Sequence, residues 1–413
     1  MQSQQPTSIE RIFFFDHIRY LMVLLVVVLH SSCAYSRYAD WWWANDVNER
    51  VFDHLLTFLG LFLMPVLFFI AGYFALPSIQ SKGPLVFIKN KLKRFGIPLI
   101  LGVFLAGPYL MYIRTFQINP EAADYWLKFN HNIYYAAAFR TGFIRSVDGF
   151  QHHHFWFISL LLIFFVVFAL FQKFGFMFTT TSKQTSKKSM LLAFLIAGSV
   201  ATFIALIIHG ILIKMGIWRD PWLIVASLIQ FQPTFIAMYV IYFILGVFAY
   251  SRNWFKDGGV PGHYLLWAGL SVVLLGAFYY VRDEIMQIGF SGSIVPGHFR
   301  VIYVGIRHFI VFTFLLAFIS FSMKHWSRSS KLNDALSANS YNIYLVHMVF
   351  VVTIQSLLNQ WILGMAYLKF SLVVLGSVIL SFCVSHFSIR PYPKRSIIGI
   401  ITLTGILFII LGP

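Results

Sequence analysis

The sequence predicts an all-α fold: a polytopic membrane helical bundle of about ten transmembrane helices plus a possible short eleventh. Three observations predict it. Of 413 residues, 59% are hydrophobic and only 11% charged, with 46 Phe, 20 Tyr and 11 Trp, and the mean hydropathy is +0.76. A soluble domain carries about 25% charged residues, so a cytosolic globular enzyme, a disordered chain and a disulfide scaffold are excluded. Apolar runs recur at 12–33, 52–76, 96–116, 155–174, 190–213, 233–250, 262–281, 301–323, 341–362 and 367–388, each close to the roughly 20 residues that cross about 30 Å of hydrocarbon. Lys and Arg are also one-sided. Loops after the even-numbered runs hold most of the basic loop residues and only two acids, Asp257 and Asp334, whereas loops after the odd-numbered runs hold bases and acids in near balance.

That asymmetry is the positive-inside pattern. It places the N-terminus and the even loops in the cytoplasm of a multi-pass protein. The net charge of +17 then reads as an orientation signal and a contact to anionic lipid, with no nucleic acid partner. Cys33 and Cys383 allow at most one bridge and lack metal-site spacing, so both are expected to be packing residues. Asp16 and Arg19 interrupt the first run and no small-residue cleavage site follows, which argues against a signal peptide. Residues 1–413 are expected to form a single membrane domain with its motifs between about 11 and 395. The apolar stretch 397–411 is either a short crossing or an interfacial segment.

The first run carries Asp16, Arg19 and His30, and buried charge near the bilayer centre costs roughly 2.5–3.5 kcal/mol. Eleven residues at about 100° each are three turns, so Arg19 and His30 share a helix face roughly 16 Å apart along the axis. Asp16, one turn before Arg19, can pair with its guanidinium. Snorkelling of Arg19 to headgroups and a plain interhelical hydrogen bond at His30 explain the same spacing. The second run ends in Phe69-Ile-Ala-Gly72-Tyr73, where Gly72 permits close helix approach. The basic stretch Lys89-Asn-Lys91-Leu-Lys93-Arg94 precedes Pro98; it is either a stop-transfer anchor or a cationic patch for phosphates. His152, His153 and His154 precede the fourth run. Consecutive helical residues diverge, so no metal is expected, and His154 reads as a polar group facing an interior cavity. Arg307 lies about two turns into the eighth run and needs a partner or water. The ninth places Ser337, Ser340, Tyr344 and His347 at helical spacing.

Five motifs recur together in one family: Arg19-x10-His30, Phe69-Ile-Ala-Gly72-Tyr73, the basic run with Pro98, His154-Phe-Trp156-Phe-Ile, and Ser340-Tyr-Asn-Ile-Tyr344-Leu-Val-His347. The chain resembles the acyltransferase-3 family of integral-membrane acyltransferases, and its ending, His386-Phe-Ser-Ile-Arg390-Pro391, resembles the glucan-biosynthesis C branch, whose known members succinylate periplasmic glucans. It departs from the family at Ala71, where Ser is common, and at Lys91 with Arg94, where two arginines are usual. The resemblance implies transfer of an acyl group, acetyl or succinyl, from a cytoplasmic acyl-CoA co-substrate to a hydroxyl of an extracytoplasmic glycan at the cell inner membrane, with no bound cofactor. It implies His30 as general base or transient acyl carrier, since imidazole has an ordinary pKa of about 6.5. Arg19 would hold donor phosphate or the thioester end, with Lys91, Lys93 and Arg94 at the cytoplasmic mouth. Arg307, Tyr344 and His347 are oxyanion-donor candidates, with Asp16 and His154 in support. The loop 117–154 is a plausible acceptor platform. The alternative is a multi-span transporter or exporter of a glycan or other polar substrate, which would be expected to show inverted repeats; none is visible.

Overall fold

All ten apolar runs fold as helices long and apolar enough to cross a bilayer in the computed structural model. It describes residues 11–39, 41–118, 144–146, 150–175, 178–180, 185–217, 220–255, 259–291, 295–361 and 364–410. In chain order these spans are α1 Phe13–Cys33, α2 Arg50–Lys82, α3 Pro84–Arg114, α4 Trp156–Lys173, α5 Lys187–Lys214, α6 Pro233–Ser251, α7 Tyr264–Phe290, α8 Gly297–His325, α9 Lys331–Trp361 and α10 Ala366–Val384. The apolar stretch near the C-terminus forms a further helix, α11, at Pro393–Ile410. Most of the acceptor-loop expectation at 117–154 falls on residues 119–143 and 147–149, outside the described residues.

Several helices extend past their apolar runs. α9 begins at Lys331, a full ten residues before the predicted start, which puts Ser337 and His347 on one rigid element. α3 begins at Pro84 and includes the basic run, but it widens into π-helix at Leu92–Gly96 and again at Gly102–Ala106. Proline explains the first widening. Pro98 has no N–H to give the carbonyl four residues earlier, and its ring crowds that carbonyl. The carbonyl belongs to Arg94, and it accepts a hydrogen bond from the Tyr341 hydroxyl of α9 at 2.6 Å instead.

α1 runs through the middle of the bundle against α2, α8, α9 and α10. Phe15, Ile18, Met22 and Val27 are fully buried along it. α1 and α9 run in the same direction: Tyr20 bonds Asn333 (2.9 Å), Arg19 bonds Ser337 (3.3 Å) and His30 bonds His347 (2.9 Å). The face-sharing predicted for Arg19 and His30 is thus a face turned to α9. α2 crosses α6 at the closest helix contact. A Cβ on Gly72 would lie 2.0 Å from the Phe243 carbonyl oxygen, and one on Gly246 would lie 2.0 Å from the Phe69 carbonyl oxygen. Only glycine fits either position.

The connection between α1 and α2 is held by Asp53. Its carboxylate is 1% exposed and accepts from Ser36 Oγ (2.8 Å), the Arg37 amide (2.8 Å), Arg37 Nε (2.9 Å) and Arg37 Nη2 (2.7 Å). The same carboxylate raises the pKa of Arg37. Asp53→Ala strands the buried Ser36 hydroxyl, at roughly 1–3 kcal/mol for an unmet buried donor, and releases Arg37 from the connection. Thermal unfolding of the purified variant in detergent is expected several degrees below the unsubstituted protein; an unchanged midpoint would contradict this.

The sequence reading did not anticipate a small antiparallel sheet, in the order β1 (Ile144–Ser146), β2 (Leu223–Val225), β3 (Ile229–Phe231). The β2–β3 turn uses Ala226 and Ser227 with φ of 50° and 54° and closes with the Leu228 amide on the Val225 carbonyl at 3.0 Å. Turns with two left-handed residues normally carry Asn or Gly, so the sequence gives no hairpin signal here.

Candidate active site

The last turn of α1 delivers His30 to the wall of a cavity of about 290 Å³, lined also by Trp41, Trp42, Trp43, Trp156, Trp222, Met111, Arg114, Gln151, His153, His154, Gln230 and Met348. The Trp run between α1 and α2 folds back over His30. Trp42 stacks on the imidazole with centroids 5.6 Å apart and planes 20° apart. Its indole N–H is held by Gln355 Oε1 at 2.8 Å, and Gln355 Nε2 donates to the Ser31 carbonyl at 3.0 Å. One α9 glutamine therefore fixes both the base of the cavity and the end of α1.

Three imidazoles meet at this point. His30 Nδ1 lies 2.9 Å from His347 Nε2, with the rings nearly parallel. His154 packs edge-on against His347, with centroids 5.0 Å apart. His154 Nε2 donates to the Leu345 carbonyl at 3.2 Å, and the Tyr344 hydroxyl donates to the His154 carbonyl. The turn before α4 is thereby tied to the middle of α9. His153, with φ of 50°, aims its ring toward Trp43 (5.3 Å). His152 is anchored on the hairpin through its amide to Gln230 Oε1 (2.6 Å) and its Nε2 to the Ser227 carbonyl (3.1 Å). Three adjacent histidines thus have three different jobs, as their divergent directions require.

At the other end of α1 the charges form a chain. Asp334 holds Arg11 (2.8 Å), Arg11 holds Asp16 (2.8 Å), and Asp16 holds Arg19 (2.8 Å). The Arg94 guanidinium lies 5.5 Å from the Tyr341 ring, one turn along α9 from the Ser337 hydroxyl that Arg19 reaches. Lys91, beside it, is boxed by Phe165 (3.9 Å), Phe87 (5.0 Å) and Phe95 (5.6 Å). Lys93, like Arg94, is exposed, but it makes no ion pair or ring contact among the described residues. The structure brings Arg19, Arg94 and Lys91 together and leaves Lys93 apart. Arg19 does not line the cavity at His30. α1 spans the interval between them with buried Met22, Val23, Val26 and Val27.

Arg307 does not reach the cavity. It is 5% exposed, donates to the Thr234 carbonyl at 3.3 Å and lies 4.2 Å over the Phe235 ring. Nearby Asp220, outside the spans, accepts from Thr234 Oγ1 at 2.5 Å. Burial raises the pKa of that carboxyl, against the opposing pull of the Thr234 bonds. This group sits where the hairpin joins α6, and none of its three side chains lines the cavity.

The profile of the family described as acyltransferase domain, acyltransferase-3, matches residues 12–386. The chain belongs to this family. The acyltransferase-3 match spans every residue of both clusters except Arg11. Among curated proteins the chain is similar to the glucans biosynthesis protein C of Escherichia coli (strain SMS-3-5 / SECEC), at 30% identity over 99 residues, 24% of this chain and a quarter of that protein's length. No solved structure matches. Membership makes the chain a multi-pass membrane acyltransferase, and of the two expected classes it favours the enzyme over the transporter. An acyltransferase-3 protein requires an acyl donor and a hydroxyl acceptor.

Trp41, Trp42, Trp43, Trp222, Gln230, Arg114 and Gln355 join the site without any sequence motif that marks them. The tryptophan triplet stands in plain view in the sequence, but nothing local to it points to His30. Only tertiary packing brings Trp222 and Gln230 beside His30.

Proposed function

We propose that the protein is an O-acyltransferase of the cell inner membrane that moves an acetyl or succinyl group from cytoplasmic acyl-CoA to a hydroxyl of an extracytoplasmic glycan, its N-terminus in the cytoplasm. The observation that carries this reading is the position of His30: an imidazole at the wall of a cavity that tryptophans surround. Flat indole faces present apolar area to the C–H faces of a sugar ring, while Arg114, Gln151 and Gln230 offer polar contacts to its hydroxyls, the mix that small-molecule pockets use for orientation.

The chemistry follows from that arrangement. His30 takes the proton of the acceptor hydroxyl as the oxygen bonds to the thioester carbonyl carbon. The tetrahedral intermediate collapses, the C–S bond breaks, and the imidazolium returns its proton to the leaving thiolate. The products are an ester and free CoA. Arg94, together with Arg19 on its Asp16 carboxylate, supplies cations for donor phosphates at the opposite end of α1. The thioester then has roughly 16 Å to travel along the α1–α9 interface to reach His30.

The direct test is purified protein in liposomes, given labelled acetyl-CoA or succinyl-CoA on the side of Arg19 and envelope glycan on the side of His30. Label appearing on glycan, with mass spectrometry naming the acyl group, supports the reading. Glycan movement without acylation would sink it. Trp41 lines the cavity yet is 46% exposed, so Trp41→Ala removes sugar contact without opening the core. It is expected to raise the acceptor KM about tenfold, from loss of one stacking contact worth about 1–1.5 kcal/mol, while kcat changes little. An unchanged KM would remove Trp41 from the acceptor site.

A further inference from the structure

We propose that His347 is a positioning residue that sets the tautomer of His30, so that the base nitrogen is always the one facing acceptor. The inference rests on the reading of His30 as general base.

The hydrogen-bond directions assign it. His347 Nδ1 lies 2.8 Å from the Tyr344 carbonyl and 3.2 Å from the Ile343 carbonyl. Carbonyl oxygens only accept, so His347 Nδ1 carries a hydrogen. In a neutral ring the other nitrogen is then a lone pair, and His347 Nε2 can only accept. Its partner at 2.9 Å is His30 Nδ1, which must therefore be the donor. That leaves His30 Nε2 as the lone pair. It makes no hydrogen bond among the described residues and is open to the cavity that His30 lines. The reversed direction needs hydrogens on both nitrogens of His347, a buried imidazolium. His347 is 0% exposed and no carboxylate lines the cavity among the described residues, so the cost of an unpaired buried charge excludes it.

His347 thus does with a neutral lone pair what a buried carboxylate does for the histidine of a serine hydrolase: it holds ring orientation and tautomer. When His30 Nε2 takes the hydroxyl proton, its Nδ1–H bond to His347 becomes charge-assisted and shortens. The positive charge is stabilised without a fixed anion. Once the C–O bond has formed and the C–S bond breaks, the same proton leaves Nε2 for the thiolate. His347 gains and loses no proton, because its own Nδ1–H stays on the helix backbone. In this arrangement it has no free N–H to offer an oxyanion.

The test is a series at one position, assayed in proteoliposomes with labelled acetyl-CoA or succinyl-CoA and envelope glycan. His347→Gln puts an amide oxygen where Nε2 stood and is expected to keep kcat within about tenfold. His347→Leu removes the acceptor and is expected to lower kcat about 100-fold or more with donor KM unchanged. His347→Glu introduces an anion and is expected to move the acid limb of kcat/KM to higher pH by about one unit or more, because an adjacent carboxylate favours the imidazolium. The titratable and charged groups around the pair are His153, His154, Tyr344 and Arg114; all remain in every variant. Should the Leu variant fail to fold, the Gln and Glu variants alone decide. Equal kcat in Gln and Leu, or an unmoved acid limb in Glu, overturns the inference. His30→Ala separates the two levels. Full transfer by that variant, or none by the unsubstituted protein, overturns the base assignment underneath, whereas its inactivity beside an unmoved Glu profile overturns only the role of His347.

Discussion

His30→Ala is expected to reduce acyl transfer by about 10²- to 10⁴-fold, the range that general acid–base catalysis contributes, while the protein stays folded and in the membrane. The ring lies half-buried at the edge of a cavity, so its removal enlarges a space that already exists. It forfeits stacking on Trp42 and one hydrogen bond to His347, but Gln355 still clamps Trp42 and the end of α1. Activity and abundance therefore part company. Initial rates in proteoliposomes, set against quantitative membrane abundance and the unfolding midpoint, check this. A rate within tenfold of the unsubstituted protein at equal abundance would falsify the assignment of His30 as base.

The second large effect falls on folding. Gly246→Leu is expected to abolish recovery of monodisperse protein, and Gly246→Ala to reduce it sharply. The added Cβ would sit 2.0 Å from the Phe69 carbonyl oxygen and 2.8 Å from the Tyr73 amide nitrogen. Both are backbone atoms, so no rotamer change relieves the clash. Overpacking usually costs about 1–3 kcal/mol, and more where the neighbour cannot yield. α2 and α6 would have to separate, and the reciprocal contact at Gly72 would open with them. Gly269→Ala is the control, since its Cβ would meet nothing within 4 Å. Size-exclusion profiles after detergent extraction report the difference, and equal profiles for the two alanine variants would overturn the claim.

Much of this architecture was legible because lipid imposes it. A segment without internal hydrogen bonding cannot cross hydrocarbon, so ten long apolar runs had to be helices, and ten are found. The alignment of Arg19 with His30 was legible because helical periodicity fixes it locally; both meet α9, at Ser337 and His347. The pairing of Asp16 with Arg19 was legible for the same reason. Helix ends were less so: the ten residues of α9 before Tyr341 are polar enough to resemble a loop, yet they are helical against α1. Arg307 shows the limit from the other side. Its depth in α8 was readable, but the direction it faces depends on how α8 packs near α6, and it turns to Thr234 rather than to the cavity. The indole lining was unreadable for a related reason, because loops and a hairpin with no sequence signature at Ala226-Ser227 carry Trp41–Trp43 and Trp222 there.

The two rings at the centre of the site are 317 residues apart in sequence. His30 arrives on α1 and His347 on α9, and the Tyr20–Asn333 and Arg19–Ser337 links are just as distant. During synthesis α1 therefore enters the bilayer long before the α9 groups that pair with its polar side chains, while Asp16, already beside Arg19, lowers the cost of waiting. A chain that ends before α9 leaves His30 Nδ1 without its His347 partner, so the parallel α1–α9 pairing joins the last turn of α1 to the rest of the bundle only late in synthesis.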